Sequence, residues 1–278
     1  MPVPVPVPVP VPDPQHAIAS NREAWNESAR HHVGTPTWHR LMTAIGEREF
    51  SCFDPTLTAL LKRIGLKGRA IIQLGCNNGR ETFSLMGLGA RSALGVDQSA
   101  QFLKQAHSLA QMSPHEVTFI EADVHRLPED LAARFDVALI TIGVLNWMPD
   151  LAAFARSAAA TLAEGGQLVI YETHPFLEMF DPQATDPFTP VDSYFRKEPI
   201  VHDEAIVYEG VSSEKGAPGY WFVHTLSDVV TAVIAAGLRV EHFQEYPHSN
   251  REDVYDPYQN RAAQLPMSYT LIARKPAP

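Results

Sequence analysis

Cysteine is nearly absent: Cys52 and Cys76 are the only two in 278 residues. Two thiols give no disulfide framework, which excludes a stapled secreted scaffold and suits a reducing cytoplasm. Positive charge is also short. Against 32 Asp and Glu stand 22 Lys and Arg, for a formal net charge of −10. Binding a phosphate backbone needs a basic face, and the Lys and Arg here are scattered, so no nucleic-acid partner is expected. No apolar run approaches the roughly 20 residues needed to cross a bilayer. No basic stretch followed by an apolar one opens the chain, so no membrane partner is expected and the protein reads as cytoplasmic.

What the chain does have begins with proline. Residues 1–14 alternate Pro with Val, which removes every second N–H and favours polyproline II, so a disordered tail is expected there. Residues 15–67 read as an N-terminal helical cap. Ser20 to His32 has helical texture, with Ser20 or Asn21 as cap, and Asp54-Pro55 opens a second helix carrying Leu57, Leu60, Leu61 and Ile64 that Gly65 closes.

From residue 68 onward, strand and helix signals alternate. Strands are expected at 70–74, 92–96, 117–120, 135–142 and 167–171, with helices at 79–88, 99–112 and 150–162 between them. This repetition predicts an α/β fold built on a doubly wound, mostly parallel seven-stranded sheet with helices on both faces. A helix over 226–236 and strands over 238–243 and 267–273 complete it. The pattern breaks between 173 and 223, which reads as an irregular insertion. Nine aromatic residues fall between 173 and 224: Phe176, Phe180, Phe188, Tyr194, Phe195, Tyr208, Tyr220, Trp221 and Phe222. An aromatic lid over the strand ends, or a small second core tying down a long loop, would both account for them.

The most informative stretch is Ile71-Ile72-Gln73-Leu74-Gly75-Cys76-Asn77-Asn78-Gly79-Arg80. A strand stops at a glycine and opens through a tight loop into a helix, a geometry that turns backbone N–H groups toward a ligand. It lacks the G-x-G-x-x-G spacing of dinucleotide-binding folds. In such sheets ligands sit beyond the carboxyl ends of the strands. Leu94-Gly95-Val96-Asp97 places a carboxylate at the end of the second strand, where it suits the two hydroxyls of a ribose, and Asp97 is otherwise an ordinary cap for the helix at Ser99.

Five elements resemble class I S-adenosylmethionine-dependent methyltransferases of the bacterial small-molecule type: the loop from Gly75 to Gly79, Asp97, Ala122-Asp123-Val124, the run from Phe135 through Trp147 to Asp150, and the turn at Glu164-Gly165-Gly166. The resemblance implies S-adenosylmethionine as cofactor, held by Gln73, Gly75, Cys76, Asn77, Gly79, Asp97, Gln98, Asp123, Val124, Thr141 and Trp147. Gln73 stands where the family carries an acid for the cofactor's amino group, and Asn77 where it carries a glycine; asparagine tolerates positive φ. Asp123 would accept from the adenine amino group, and the Val124 N–H would reach a ring nitrogen.

The implied activity is methyl transfer to an oxygen, nitrogen or sulfur of a small-molecule acceptor. His174, directly after the fifth strand and oriented by Glu172 or Tyr171, is the first candidate base, and His224 the second; a structural hydrogen-bonding histidine is the competing reading for each. Trp25, Phe176, Tyr194, Tyr220 and Trp221 are the candidate acceptor contacts. No metal is expected, because His174, His202, Asp203 and His224 have no tight ligand spacing. Three rival readings remain: a nicotinamide-dependent oxidoreductase, a methyltransferase fold kept as an inactive ligand-binding scaffold, and a nucleic-acid or protein methyltransferase, which the net charge and the strand-four loop disfavour. A homodimer stays open.

Overall fold

A computed structural model describes residues 11–207 and 212–277. Residues 1–10 of the Val-Pro tail and the lid aromatic Tyr208 lie outside the described residues.

The chain opens with α1 (Pro14–Ser28), a short 3-10 turn at Ala29–His32, α2 (Pro36–Ala44) and α3 (Pro55–Ile64). α1 starts earlier than the sequence pattern suggests. Its cap is Asp13, whose carboxylate accepts from the N–H groups of Gln15 and His16, and Pro14 supplies a φ already suited to the first helical position. α3 follows its expected boundaries. The Asp54 side chain caps it at the Leu57 N–H (2.8 Å), and Gly65 ends it with φ 72°.

Then come β1 (Ala70–Leu74), α4 (Arg80–Gly87), β2 (Ser92–Asp97), α5 (Ala100–Ala110), β3 (Thr118–Glu121), β4 (Phe135–Thr141), α6 (Leu151–Thr161) and β5 (Leu162–Thr173). After the insertion follow α7 (Leu226–Ala235), β8 (Arg239–Tyr246) and β9 (Ser268–Arg274). The seven-stranded sheet runs β3-β2-β1-β4-β5-β9-β8. β9 is antiparallel to both of its neighbours, and the other pairings are parallel.

Alternation along the central strands builds two cores. Ile72, Leu74, Ala138 and Ile140 pack with α6 and α7 on one face. Ile71, Val137, Leu139 and Tyr171 pack with Leu57, Leu60 and Leu61 of α3 on the other. Each fully buried Leu contributes about 1.5–3 kcal/mol by leaving water.

The insertion is more ordered than its sequence implies. It contains β6 (Ile200–Glu204) paired antiparallel with β7 (Lys215–Trp221). Gly216, Pro218 and Gly219 give β7 the composition of a loop, and the strand forms because α1 packs along it. The buried Asn21 side chain accepts from the Tyr220 N–H (2.6 Å) and donates to the carbonyls of Tyr220 and Trp147. Cap and insertion therefore form one cover over the carboxyl ends of the strands.

Candidate active site

The loop after β1 is shaped by sterics and by one carboxylate. Gly75 and Gly79 have φ of 73° and 78°. A Cβ on Gly79 would stand 2.5 Å from the Phe119 ring, and one on Gly75 would stand 2.8 Å from a Val144 methyl, so neither position admits a side chain. Between them Asn77 takes φ 51°. Its N–H donates to Asp97 Oδ2 at 2.7 Å, and the Ser99 N–H donates to Oδ1 at 2.9 Å. Asp97 is thus fixed at the end of β2, half-buried, with accepting capacity left on both oxygens. Burial pushes its carboxyl up, and backbone N–H donors hold that rise in check. The Cys76 thiol is buried and pushed well up by burial and by Asp97, which leaves it no reactive thiolate.

Beyond β3, Asp123 accepts from both the N–H and Nδ1 of His125 (2.9 and 2.8 Å). Burial raises its carboxyl, but the His125 hydrogen bonds outweigh that and it titrates below the ordinary range. Val124 beside it is buried. Gln98 follows Asp97 directly and contributes a backbone donor to it.

Gln73 behaves differently from its expected role. Its Nε2 donates to Glu81 Oε2 (2.9 Å), and its Oε1 accepts from the Thr82 hydroxyl (2.6 Å). Thr141, at the end of β4, also donates to Glu81, and so does Arg251 from the segment after β8. The Arg251 guanidinium reaches the Cys52 carbonyl as well (2.7 Å). Neither Glu81 nor Arg251 stands out by motif. The available signal was an acid in the first turn of α4, eight residues beyond the position where an acid was missing.

Aromatic side chains close the site from above. Trp147 meets Trp25 at 5.3 Å and Trp221 at 5.1 Å between ring centroids, both edge-on, and Trp25 also meets Phe102 at 5.6 Å. Tyr220 contributes its backbone to Asn21, and its hydroxyl lies 3.4 Å from His16. Tyr194 is occupied elsewhere, accepting from the Leu226 N–H at the start of α7. Phe176 packs against His174 and Phe180. Trp25, Trp147 and Trp221 therefore come together over the strand ends, whereas Tyr194 and Phe176 stand apart from them.

Both candidate bases are structural. His174 Nδ1 accepts from the Phe176 N–H (3.0 Å), so its Nε2 carries the proton and donates to Glu245 (2.9 Å). It caps the 3-10 turn that Pro175 opens, and with both nitrogens engaged it has no free lone pair for an acceptor. Glu172 and Tyr171 do not orient it. The Glu172 carboxylate accepts from the N–H groups of Gly143 (2.6 Å) and Leu145 (3.0 Å), and Tyr171 donates to Asp54. His224 donates to the Met148 carbonyl (2.8 Å) and stacks on Phe222. Burial lowers the pKa of both histidines.

The titratable group that does face the aromatic cover is Glu178. It accepts from Trp221 Nε1 (3.0 Å) and Tyr255 (3.4 Å), and burial, opposed by the Trp221 hydrogen bond and reinforced by Glu252, raises its carboxyl to about 7. Burial likewise raises Glu172 to about 8. Beside this region a cavity of about 450 Å³ is lined by Asp54, His248, Arg251, Glu252 and Asp256, among others. Among the described residues, no group of three or more His, Cys, Asp or Glu is arranged to hold a metal ion. Among them, too, no helix is long and apolar enough to cross a membrane.

Strand order and the left-handed loop after β1 give the Rossmann-like methyltransferase fold, with Asp97 at the end of β2 and Asp123 beyond β3. The donor set fits S-adenosylmethionine: Asp97 keeps free acceptor positions for a ribose diol, and the loop backbone is turned toward it. Residues 71–166 match the family model described as "Methyltransferase domain". This match favours S-adenosylmethionine over a nicotinamide cofactor.

Among curated proteins, the chain is 34% identical over 110 residues to a tRNA U34 carboxymethyltransferase of Hahella chejuensis, a match covering 38% of this chain and 32% of that protein. A tRNA U34 carboxymethyltransferase of Pseudoalteromonas translucida is 34% identical over 106 residues, with the same coverage of 38% and 32%. The chain thus spans about a third of the length of these relatives. Among solved structures, an S-adenosylmethionine-dependent methyltransferase from Mesorhizobium loti aligns with TM-score 0.56 at 24% identity, over 78% of this chain and 96% of that one. The 1,6-didemethyltoxoflavin-N1-methyltransferase of Burkholderia thailandensis aligns with TM-score 0.55 at 17% identity, over 98% and 95%. At these identities the solved structures establish the fold alone.

The curated relatives correct two expectations. The small-molecule acceptor and the exclusion of nucleic acid do not stand, because the relatives that match in sequence are named for a reaction on tRNA. Net charge sums the whole surface, while RNA contact is local and shape-dependent, so a value of −10 was too coarse a criterion.

Proposed function

We propose that this protein methylates a nucleoside of tRNA, with S-adenosylmethionine as donor. The observation that carries the reading is the sequence match to curated tRNA-modifying relatives at 34% identity, supported by Asp97 at the end of β2, which keeps acceptor positions free for a ribose diol.

Bound at the strand ends, the cofactor supplies an electrophilic methyl carbon on a sulfonium. The chain's residues do the rest. Asp97 and Asp123 hold the nucleoside, and Trp25, Trp147 and Trp221 exclude water from the transfer. An extruded base needs a flat apolar surface to replace the stacking it loses, and this aromatic cover supplies one. Glu178 accepts the proton that a hydroxyl or amino acceptor gives up, since its carboxyl is tuned to about 7 and leans on Trp221.

A second reading, carboxymethyl transfer to the same class of acceptor, is favoured by the names of the relatives. Incubating the chain with bulk tRNA and, in separate reactions, S-adenosylmethionine or its sulfonium analogue carrying a carboxymethyl group in place of the methyl, followed by nucleoside mass spectrometry, tests both. The mass gained separates a methyl from a carboxymethyl product. Protein that binds cofactor and modifies no tRNA nucleoside would return the chain to the inactive-scaffold alternative.

A further inference from the structure

The acid expected at position 73 for the cofactor's amino group is replaced by Gln73, yet the ends of β1 and β4 still hold a buried negative charge. Glu81 reaches that place from the first turn of α4. Gln73 and Thr141 donate to its Oε2, and Arg251 to its Oε1, which keeps one acceptor position open. Glu81 is only 7% exposed, and burial alone would favour its neutral form. The guanidinium groups of Arg251 and Arg80, with the Thr141 hydrogen bond, more than offset that, so it stays ionised below the ordinary carboxylate range.

Arg251 supplies a second, independent sign. It is a non-glycine residue held at φ 80°, in the left-handed region that costs an ordinary L-residue about 1–2 kcal/mol. Among the described residues three other non-glycine positions share a positive φ, and one of them, Asn77, lies in the loop after β1. Strain of this kind persists where the surroundings enforce it, typically at ligand clamps. With its terminal nitrogens on Glu81 and Cys52, Arg251 leaves Nε–H buried without a hydrogen-bond partner, and its side chain lines the 450 Å³ cavity.

We infer that Glu81 and Arg251 together receive the amino-acid end of S-adenosylmethionine: Glu81 takes the ammonium, Arg251 takes the carboxylate, and Gln73 serves to position Glu81. An adjacent anion and cation are complementary to a zwitterion, and pairing each with its opposite charge offsets the desolvation of both at no net change in charge. The inference rests on the cofactor reading. It also explains why a glutamine suffices at position 73, since an acid there would crowd a second negative charge against Glu81.

The test is calorimetric titration of the full chain with S-adenosylhomocysteine, its des-amino analogue and its decarboxylated analogue. Wild-type protein should prefer S-adenosylhomocysteine to each analogue by about tenfold or more. Glu81→Gln should erase the preference against the des-amino analogue, and Arg251→Met the preference against the decarboxylated one, each leaving the other preference in place. A purely structural role would weaken all three ligands alike and overturns the inference. Should either variant fail to fold, wild-type protein that binds the des-amino analogue as tightly as S-adenosylhomocysteine overturns it equally. Absence of S-adenosylhomocysteine binding by wild-type protein would instead sink the cofactor reading itself.

Discussion

In the proposed site Asp97 would anchor the nucleoside end of the cofactor, and its two backbone bonds make substitution there diagnostic. Asp97→Asn keeps the shape but removes charge-assisted acceptance, so S-adenosylhomocysteine affinity should fall about tenfold or more by calorimetry; unchanged affinity would contradict the ribose assignment. Glu178 makes a prediction about pH. As a proton acceptor it must be ionised, and its carboxyl titrates near about 7. Turnover should therefore rise as pH climbs through 7 and level off above it. Glu178→Gln should remove that limb and lower turnover about a hundredfold while cofactor affinity holds. His174→Ala should cost about 1 kcal/mol of stability as a lost cap and leave the pH profile unchanged. Residues announced by local motif, such as Gly79 and Asp97, were legible in the sequence. Glu81–Arg251 was not, because its partners are 170 residues apart and only tertiary packing joins them. His174 was misread for a related reason: that Pro175 opens a 3-10 turn, which its imidazole caps, depends on the chain's course after β5.

At the scale of elements, α1 and the β6–β7 hairpin act as one cover, pinned by Asn21. Removing the three hydrogen bonds of the Asn21 side chain through Asn21→Ala should destabilise the cover by about 1–3 kcal/mol. Hydrogen exchange should then accelerate in α1 and β7, with the central strands β1 and β4 unaffected; uniform acceleration would mean that the cover is integral to the main core. The alternating strand–helix units were readable because each carries its own periodicity and cap, as at Asp150, whose side chain takes the Ala153 N–H (2.8 Å). β7 was not readable. Its Gly-Ala-Pro-Gly run has no strand propensity, and its pairing is imposed by α1 and β6 from outside.

For the whole molecule, buried carboxyls give stability an unusual slope with pH. Glu172 and Glu178 are raised to about 8 and about 7, so above neutral pH the folded chain holds protons that the unfolded chain has released. Stability should fall as pH rises through 8, a range in which His174 and His224 are already neutral in both states. The urea midpoint should be lower at pH near 8.5 than near 7, and Glu172→Gln should flatten the difference; a midpoint that climbs over this range would contradict the burial-driven shifts. Composition proved the least informative level. It describes the average surface, and the acceptor depends on what the cover over the strand ends admits. Nucleoside mass spectrometry of tRNA after incubation with the chain and S-adenosylmethionine reads the proposed methyl transfer itself. One tRNA nucleoside should gain a methyl group in a reaction that Asp97→Asn slows about tenfold or more at limiting donor. Unmodified tRNA, under conditions where calorimetry shows the cofactor bound, would contradict the account.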